Sequence, residues 1–368
     1  MRATLLHAPR DIRLEDVPDP QLIDDGDAVV RVAASCICGS DLWPYRGENA
    51  VERPMRIGHE FVGVVEQTGA GVATLAPGDF VIAPFAFSDG TCPHCQRGLH
   101  TSCDRGGGWG GEDENGGPVD GGQGERIRVP LADGTLVPTP EQPPAELVPH
   151  LLALSDVMGT GHHAAKQAGV GPGRTVVVVG DGAVGLCAVL AARRLGAERV
   201  VAMSRHASRQ EIARGFGATD VVAERGEDGV RMVHELLDGV GADCVLECVG
   251  TGPAMVQAVS SARPGGTVGY VGVPHGVELP IRDMFSRNVG VVGGVAPVRA
   301  YLPELLEDVW AGQLTPGAVF DLELPLTDVA EGYAAMDERR AIKVLLSPEP
   351  VKAHEETSPW REQRAVQP

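Results

Sequence analysis

Val176-Val177-Val178-Val179-Gly180-Asp181-Gly182-Ala183-Val184-Gly185 decides the reading of this chain. Four β-branched residues in a row suit a strand buried on both faces, and the glycines after them run straight into the apolar stretch Ala183 to Leu195. A strand, a G-x-G-x-x-G turn and a helix in that order form a phosphate-binding unit. The first glycine allows the tight turn, the second lets a pyrophosphate approach the backbone, and the third lets helix and strand pack closely. The phosphates then meet the positive end of the helix. This pattern predicts cofactor contacts at Gly180, Gly182, Ala183, Val184 and Gly185.

Downstream the texture repeats. Apolar β-type runs begin near Thr175, Arg199, Asp220, Asp243, Gly266 and Asn288, with helix-like stretches such as Ser208 to Gly215 and Val230 to Leu237 between them. Parallel neighbours need a crossover, so this alternation predicts an α/β, doubly wound parallel sheet that binds a dinucleotide. The residue that chooses between NAD and NADP is expected about 20 residues past the glycines, at the end of the second strand. After Arg199 to Met203 come Ser204, Arg205 and His206, with Arg209 a helical turn on, and no carboxylate among them. Ser204, Arg205 and Arg209 suit a 2′-phosphate through charge-assisted hydrogen bonds, which predicts NADP(H) over NAD(H). Val249 and Gly250, in the turn after the fourth run, are assigned to the cofactor as well.

Upstream of residue 140 the chain reads instead as short β segments: Ala28 to Ala33, Phe61 to Gln67, Asp79 to Ala83 and Arg126 to Val129. Residues 106–124 hold ten glycines around Trp109, the pattern of an irregular loop. That loop reads either as a flexible insertion or as a lid in which Trp109 shapes a substrate pocket. A β-rich domain over 1–155 is expected, completed by 297–346 through a returning strand at Ala341 to Leu346, with the nucleotide domain over 156–296 inserted. The polar stretch 347–368 reads as a mobile tail.

The 368 residues carry 31 Lys+Arg against 50 Asp+Glu, a net charge of −19 that repels nucleic-acid phosphates. Only three of the basic residues are lysines, which fits a GC-rich bacterial source. The N-terminus shows no apolar stretch long enough for a signal peptide, and the longest apolar region, Thr175 to Ala192, is interrupted by Asp181 and three glycines and so is no membrane span; a cytoplasmic protein is expected. Eight cysteines in that compartment point to metal or redox chemistry rather than disulfides.

The cysteines, with other ligand types, make two constellations. Cys38-Gly39-Ser40-Asp41 follows one β segment and Gly58-His59-Glu60 opens another, while Asp89, Cys92, Cys95 and Cys103 form a tight group. With the glycine fingerprint, these residues resemble the zinc-dependent alcohol dehydrogenases of the medium-chain dehydrogenase/reductase superfamily, a likeness running to about Leu346. The resemblance implies a GroES-like catalytic domain beside a Rossmann domain, and a catalytic zinc held by Cys38, His59 and Asp156. His162 and His163 are alternative ligands, read as helix residues. Glu60 is expected to reach the metal between substrates and help exchange water for alcohol.

The same resemblance gives Ser40 the alcohol proton. The histidine that many relatives carry five residues after the cysteine ligand is here Trp43, which is assigned to the substrate pocket or to ordinary packing. The family's structural zinc lobe has four cysteines; this sequence places Asp89 where the first would be, so a zinc on Asp89, Cys92, Cys95 and Cys103 competes with a vestigial lobe of free thiols, with His94 and His100 nearby. The implied activity is hydride transfer between NADP(H) and an alcohol, aldehyde or ketone, in a homo-oligomer (dimer or tetramer). A polyol or sugar-alcohol dehydrogenase and a zinc-free enzyme related to quinone reductases are the alternatives within enzymes. A nucleotide-binding module without chemistry is a further one.

Overall fold

The computed structural model describes residues 1–51 and 54–348. Most of the stretch expected as a mobile tail therefore lies outside the described residues, although Ser347 still belongs to a strand. The chain divides into two compact units, one built from Met1–Ser155 with the segment from Leu306 onward, the other from Asp156–Leu305.

The second unit is a six-stranded parallel sheet ordered Asp220–Val222, Arg199–Met203, Thr175–Val179, Ala242–Glu247, Ala262–Tyr270, Gly290–Gly293. Helices Ala183–Arg194, Ala207–Gly215, Gly226–Leu236 and Gly252–Ser261 alternate with the strands. This is the doubly wound fold that the Val176–Gly185 stretch predicts. Val177, Val201, Val245 and Val268 are buried completely, as expected of central strands covered on both faces. Strand order reverses between Thr175–Val179 and Ala242–Glu247, and the carboxyl ends of those two strands mark the switch point where such sheets bind ligands.

In the first unit a seven-stranded sheet runs in the order Val137–Pro138, Phe80–Ala83, Phe61–Thr68, Ala28–Cys36, Val344–Ser347, Leu322–Pro325, with Arg126–Val129 also pairing with Ala28–Cys36. Leu345 lies opposite Cys36, so a strand from the far end of the sequence is hydrogen-bonded beside the Cys38 loop. This is the GroES-like β-rich architecture. A hairpin of Arg2–Ala8 and Asp11–Asp16 stands apart as its own small sheet.

The glycine-rich segment is tied down, which corrects the reading of it as a flexible insertion. Gly107–Gly108 pairs with Ala86–Phe87, and Glu112 bridges Pro118. Arg128, with a side chain 3% exposed, binds Asp27 at 2.7 Å and Asp113 at 2.7 Å. Trp109 donates its indole N–H to the Pro84 carbonyl at 3.0 Å and packs edge-on against Phe61 and Phe87. An indole held by two rings and a hydrogen bond is a packing element, because all of its polar and most of its apolar surface is already used. Among the described residues no helix is long and apolar enough to cross a membrane.

Candidate active site

The strand Ala28–Cys36 delivers Cys38 into a turn that its own sequence closes: the Cys38 N–H donates to Asp41 Oδ2 at 2.9 Å. Asp41 is buried, and its other oxygen lies 3.2 Å from His59 Nδ1. An imidazole hydrogen-bonded to a carboxylate through Nδ1 presents Nε2 outward as a ligand. Ser40 Oγ lies 3.5 Å from that Nε2, and Glu60 Oε1 lies 4.0 Å from it. Asp156 follows Ser155 at the start of helix Val157–Gln167, where Thr160 Oγ1 donates to its Oδ1 at 2.7 Å.

Ligand atoms of Cys38, His59, Glu60 and Asp156 all lie within 4.8 Å of one another. One sulfur, one nitrogen and carboxylate oxygens at that separation form a donor set that fits zinc, with three ligands leaving a position open for chemistry. His162 and His163 are not in the cluster. Their partners are Glu304 at 2.9 Å and the Tyr301 hydroxyl at 2.8 Å.

Three residues that the sequence did not single out support this cluster. Asp41 is one. Gln123, buried at the end of the glycine-rich segment, donates to the Cys36 carbonyl at 3.1 Å and to Asp41 Oδ2 at 3.3 Å, while accepting from the Tyr333 hydroxyl at 3.1 Å. Gly58 permits this approach, because a Cβ there would meet Gln123 Cγ at 2.5 Å. The third is Lys343, 1% exposed, whose ammonium meets Glu60 Oε1 at 2.6 Å. A buried lysine in contact with a buried glutamate fixes where the carboxylate points. Trp43 lies half-buried on the short helix Leu42–Arg46.

Asp89, Cys92, Cys95 and Cys103 also bring their ligand atoms within 4.8 Å of one another. Burial opposes ionisation of Asp89, but backbone N–H groups of Cys92 and Thr91 at 2.9 and 2.8 Å win and hold its carboxyl at about 2. An oxygen anion therefore stands where a fourth thiolate would. His94 faces Asp104 at 3.6 Å, and neither His94 nor His100 belongs to the group. Cys187 and Cys244 are buried core thiols.

At the nucleotide turn Gly180 has φ +122°, a conformation that side chains avoid, and a Cβ on Gly185 would lie 2.1 Å from the Gly180 carbonyl oxygen. Glu247, fully buried at the end of its strand, accepts from the N–H groups of Val249 and Gly250 at 2.9 and 2.8 Å. Burial pushes its carboxyl above the usual range, against those two N–H groups. Ser204 stands at the end of Arg199–Met203 and Arg205 is exposed beside it. The stretch after Met203 holds no carboxylate of its own, but the fold brings one to it. Asp181, from within the fingerprint, accepts from Ser204 Oγ at 2.9 Å and faces Arg209 at 3.3 Å.

A zinc-type donor cluster on a GroES-like sheet, joined in one chain to a dinucleotide-binding sheet, defines the class of zinc-dependent dehydrogenases. The sequence pattern described as "Alcohol dehydrogenase GroES-like domain" matches residues 24–141, and that described as "Zinc-binding dehydrogenase" matches residues 183–311. Zinc-type alcohol dehydrogenase B of Aspergillus flavus is 34% identical over 94% of this chain and 81% of its own. The structure of alcohol dehydrogenase TADH from Thermus sp. ATN1 superposes with a TM-score of 0.86 at 35% identity, covering 94% of this chain and 99% of that one. A zinc-binding dehydrogenase of Sinorhizobium meliloti 1021, solved bound to NADP, gives a TM-score of 0.80 at 27% identity over 94% and 99%. The chain belongs to the zinc-dependent alcohol dehydrogenase family of the medium-chain dehydrogenases/reductases.

Proposed function

We propose that this oxidoreductase transfers a hydride between NADP(H) and a small alcohol, aldehyde or ketone at a zinc held by Cys38, His59 and Asp156. The convergence of those donors with Glu60 within 4.8 Å carries the reading. Zinc bound there would stabilise an alkoxide near neutral pH or polarise a carbonyl, and the nicotinamide would exchange the hydride. The chain does the rest. Asp41 fixes the His59 tautomer, the Ser40 hydroxyl at the Nε2 edge is placed to hold the alcohol proton, and Lys343 holds Glu60 to one side of the ligand set. Cys38 and Asp156 together balance the metal's two charges, so a permanently bound Glu60 would weaken it as a Lewis acid.

Trp43, on the helix that follows the Cys38 turn, is our candidate for the wall of the substrate pocket. Ser204 and Arg205 favour the 2′-phosphate of NADP, and the likeness to a relative solved with NADP agrees. The Asp89 lobe, with an ionised carboxylate and three sulfurs in reach of one point, fits a second, structural zinc. Eight cysteines, none of them in a disulfide, suit a reducing, cytoplasmic setting. The edge strand Gly290–Gly293, with Val292, Val295, Ile281 and Phe285 exposed around it and no charged residue from Gly290 to Val295, suits pairing with a second copy in a homo-oligomer.

A panel of alcohols and carbonyls followed by NADPH absorbance, before and after zinc removal, tests the function. Zinc-dependent turnover is expected. Full turnover without metal would sink the mechanism in favour of a zinc-free reductase, and a kcat/KM about tenfold better with NAD than with NADP would sink the cofactor assignment.

A further inference from the structure

The glycine fingerprint demands nothing of its second position, yet Asp181 there is buried, with a side chain 8% exposed. Its Oδ2 takes the Ser204 hydroxyl at 2.9 Å, and Arg209 Nη1 lies 3.3 Å from its Oδ1 and 3.2 Å from its backbone carbonyl. Arg209 is itself 14% exposed. Two of the three groups suited to a 2′-phosphate are therefore engaged by a carboxylate of the same turn.

We infer that Asp181 is a specificity-determining residue that sets how strongly the site separates NADP(H) from NAD(H). This rests on the reading of the chain as a nicotinamide-linked dehydrogenase. A carboxylate only accepts hydrogen bonds, so it welcomes a ribose 2′-hydroxyl, which donates. A 2′-phosphate brings about −1.5 to −2 charges at neutral pH and must sit near that carboxylate. Arg209 and Asp181 cancel formally, which leaves exposed, solvent-screened Arg205 as the net positive charge of the cluster. Phosphate gains Ser204 and Arg209 only by drawing them away from Asp181. The result is a site tuned toward use of both cofactors rather than one locked on NADP(H).

Direct binding tests this, by fluorescence titration of the zinc-loaded full chain with NADPH and NADH, and with adenosine 2′,5′-bisphosphate and AMP as the minimal probes. Asp181→Asn keeps the shape of the side chain and removes its charge. It is expected to tighten NADPH and the bisphosphate by about tenfold or more, a fraction of what like-charge juxtaposition costs, while NADH and AMP move less than about threefold. Arg209→Leu leaves Asp181 without its cation and is expected to weaken NADPH by about tenfold or more, again sparing NADH. Should Asp181→Asn fold poorly by circular dichroism, the Arg209→Leu arm and the two nucleotide probes carry the test. An unchanged NADPH-to-NADH ratio in a folded Asp181→Asn protein overturns the inference. A wild-type chain that prefers NADH, combined with a tenfold swing in Asp181→Asn, overturns the NADP(H) preference and leaves Asp181 standing. Failure to bind either dinucleotide overturns both.

Discussion

Asp41 serves two of the candidate ligands at once, closing the Cys38 turn with one oxygen and facing His59 with the other. Asp41→Ala is expected to lower zinc affinity by about 10- to 100-fold, measured by competition with a chromophoric chelator. An unchanged affinity would show that packing alone holds the imidazole. Lys343 and Glu60 are a buried pair, so Lys343→Met takes away the ammonium that meets Glu60 Oε1. Urea unfolding at fixed zinc should show a loss of about 3 to 5 kcal/mol. Of this network the sequence offered Cys38, His59, Glu60 and Asp156 as candidate ligands through its resemblance to a known family, and the structure brings their donor atoms within 4.8 Å of one another. The sequence did not show Asp41, Gln123 or Lys343 as supports. Acids, amides and lysines are common on any surface, and Lys343 reaches Glu60 across 283 residues of chain.

At the scale of the element, the two glycine-dependent turns behave differently. Gly185 is needed because a Cβ would lie against the Gly180 carbonyl, so Gly185→Ala is expected to weaken NADPH binding by about tenfold or more and to lower the melting temperature together. Dinucleotide affinity at the wild-type level in that variant would show that the helix can back away from the turn. In the Asp89 group, proposed to hold a second zinc, Asp89→Ala removes one of four donor residues whose ligand atoms lie within 4.8 Å of one another. Metal analysis should then fall by one zinc per chain while the Cys38 site keeps its own. A wild-type chain that already holds a single zinc would show the lobe to be vestigial. The valine run and the alternating helices were legible because burial on both faces leaves a periodicity that local sequence carries. The Arg2–Ala8 and Asp11–Asp16 hairpin was not. Its connection, Pro9-Arg10, lacks the Asn-Gly or Gly-x signature, and Arg10 takes φ 61° without a glycine to announce it.

For the whole molecule, buried imidazoles contribute to acid sensitivity, His150 and His162 both pushed down to about 4 by burial, and His150 shows how. Burial pushes His150 down to about 4 from its ordinary 6.5, and its Nδ1 accepts the Gly317 N–H at 2.8 Å, which requires the neutral ring. The unfolded chain therefore takes up the proton first. Stability from this group is complete above about pH 6.5 and drains away as pH falls toward 4, by up to about 1.4 kcal/mol per pH unit. Denaturation curves across that window should flatten in His150→Gln. A slope that stays the same would assign the acid sensitivity to other groups.

The glycine turn and the strand–helix alternation belonged to the sequence alone, since each depends on residues a few positions apart, whereas the candidate ligands, spread from Cys38 to Asp156, were picked out by resemblance to a family and brought together only by the fold. Nor did the fate of the glycine-rich segment belong to the sequence. Its glycines announce freedom, whereas in the fold Arg128 and Trp109 anchor it and Gln123 connects it to the metal cluster. The cofactor preference is divided in the same way. Ser204 and Arg205 can be read from the end of their strand, but only sheet register brings Asp181 from the neighbouring strand's turn onto Ser204 and Arg209, because Val179 lies opposite Met203 in the parallel pair. Contacts of that kind are fixed by which strands are neighbours, and a linear pattern does not contain that information.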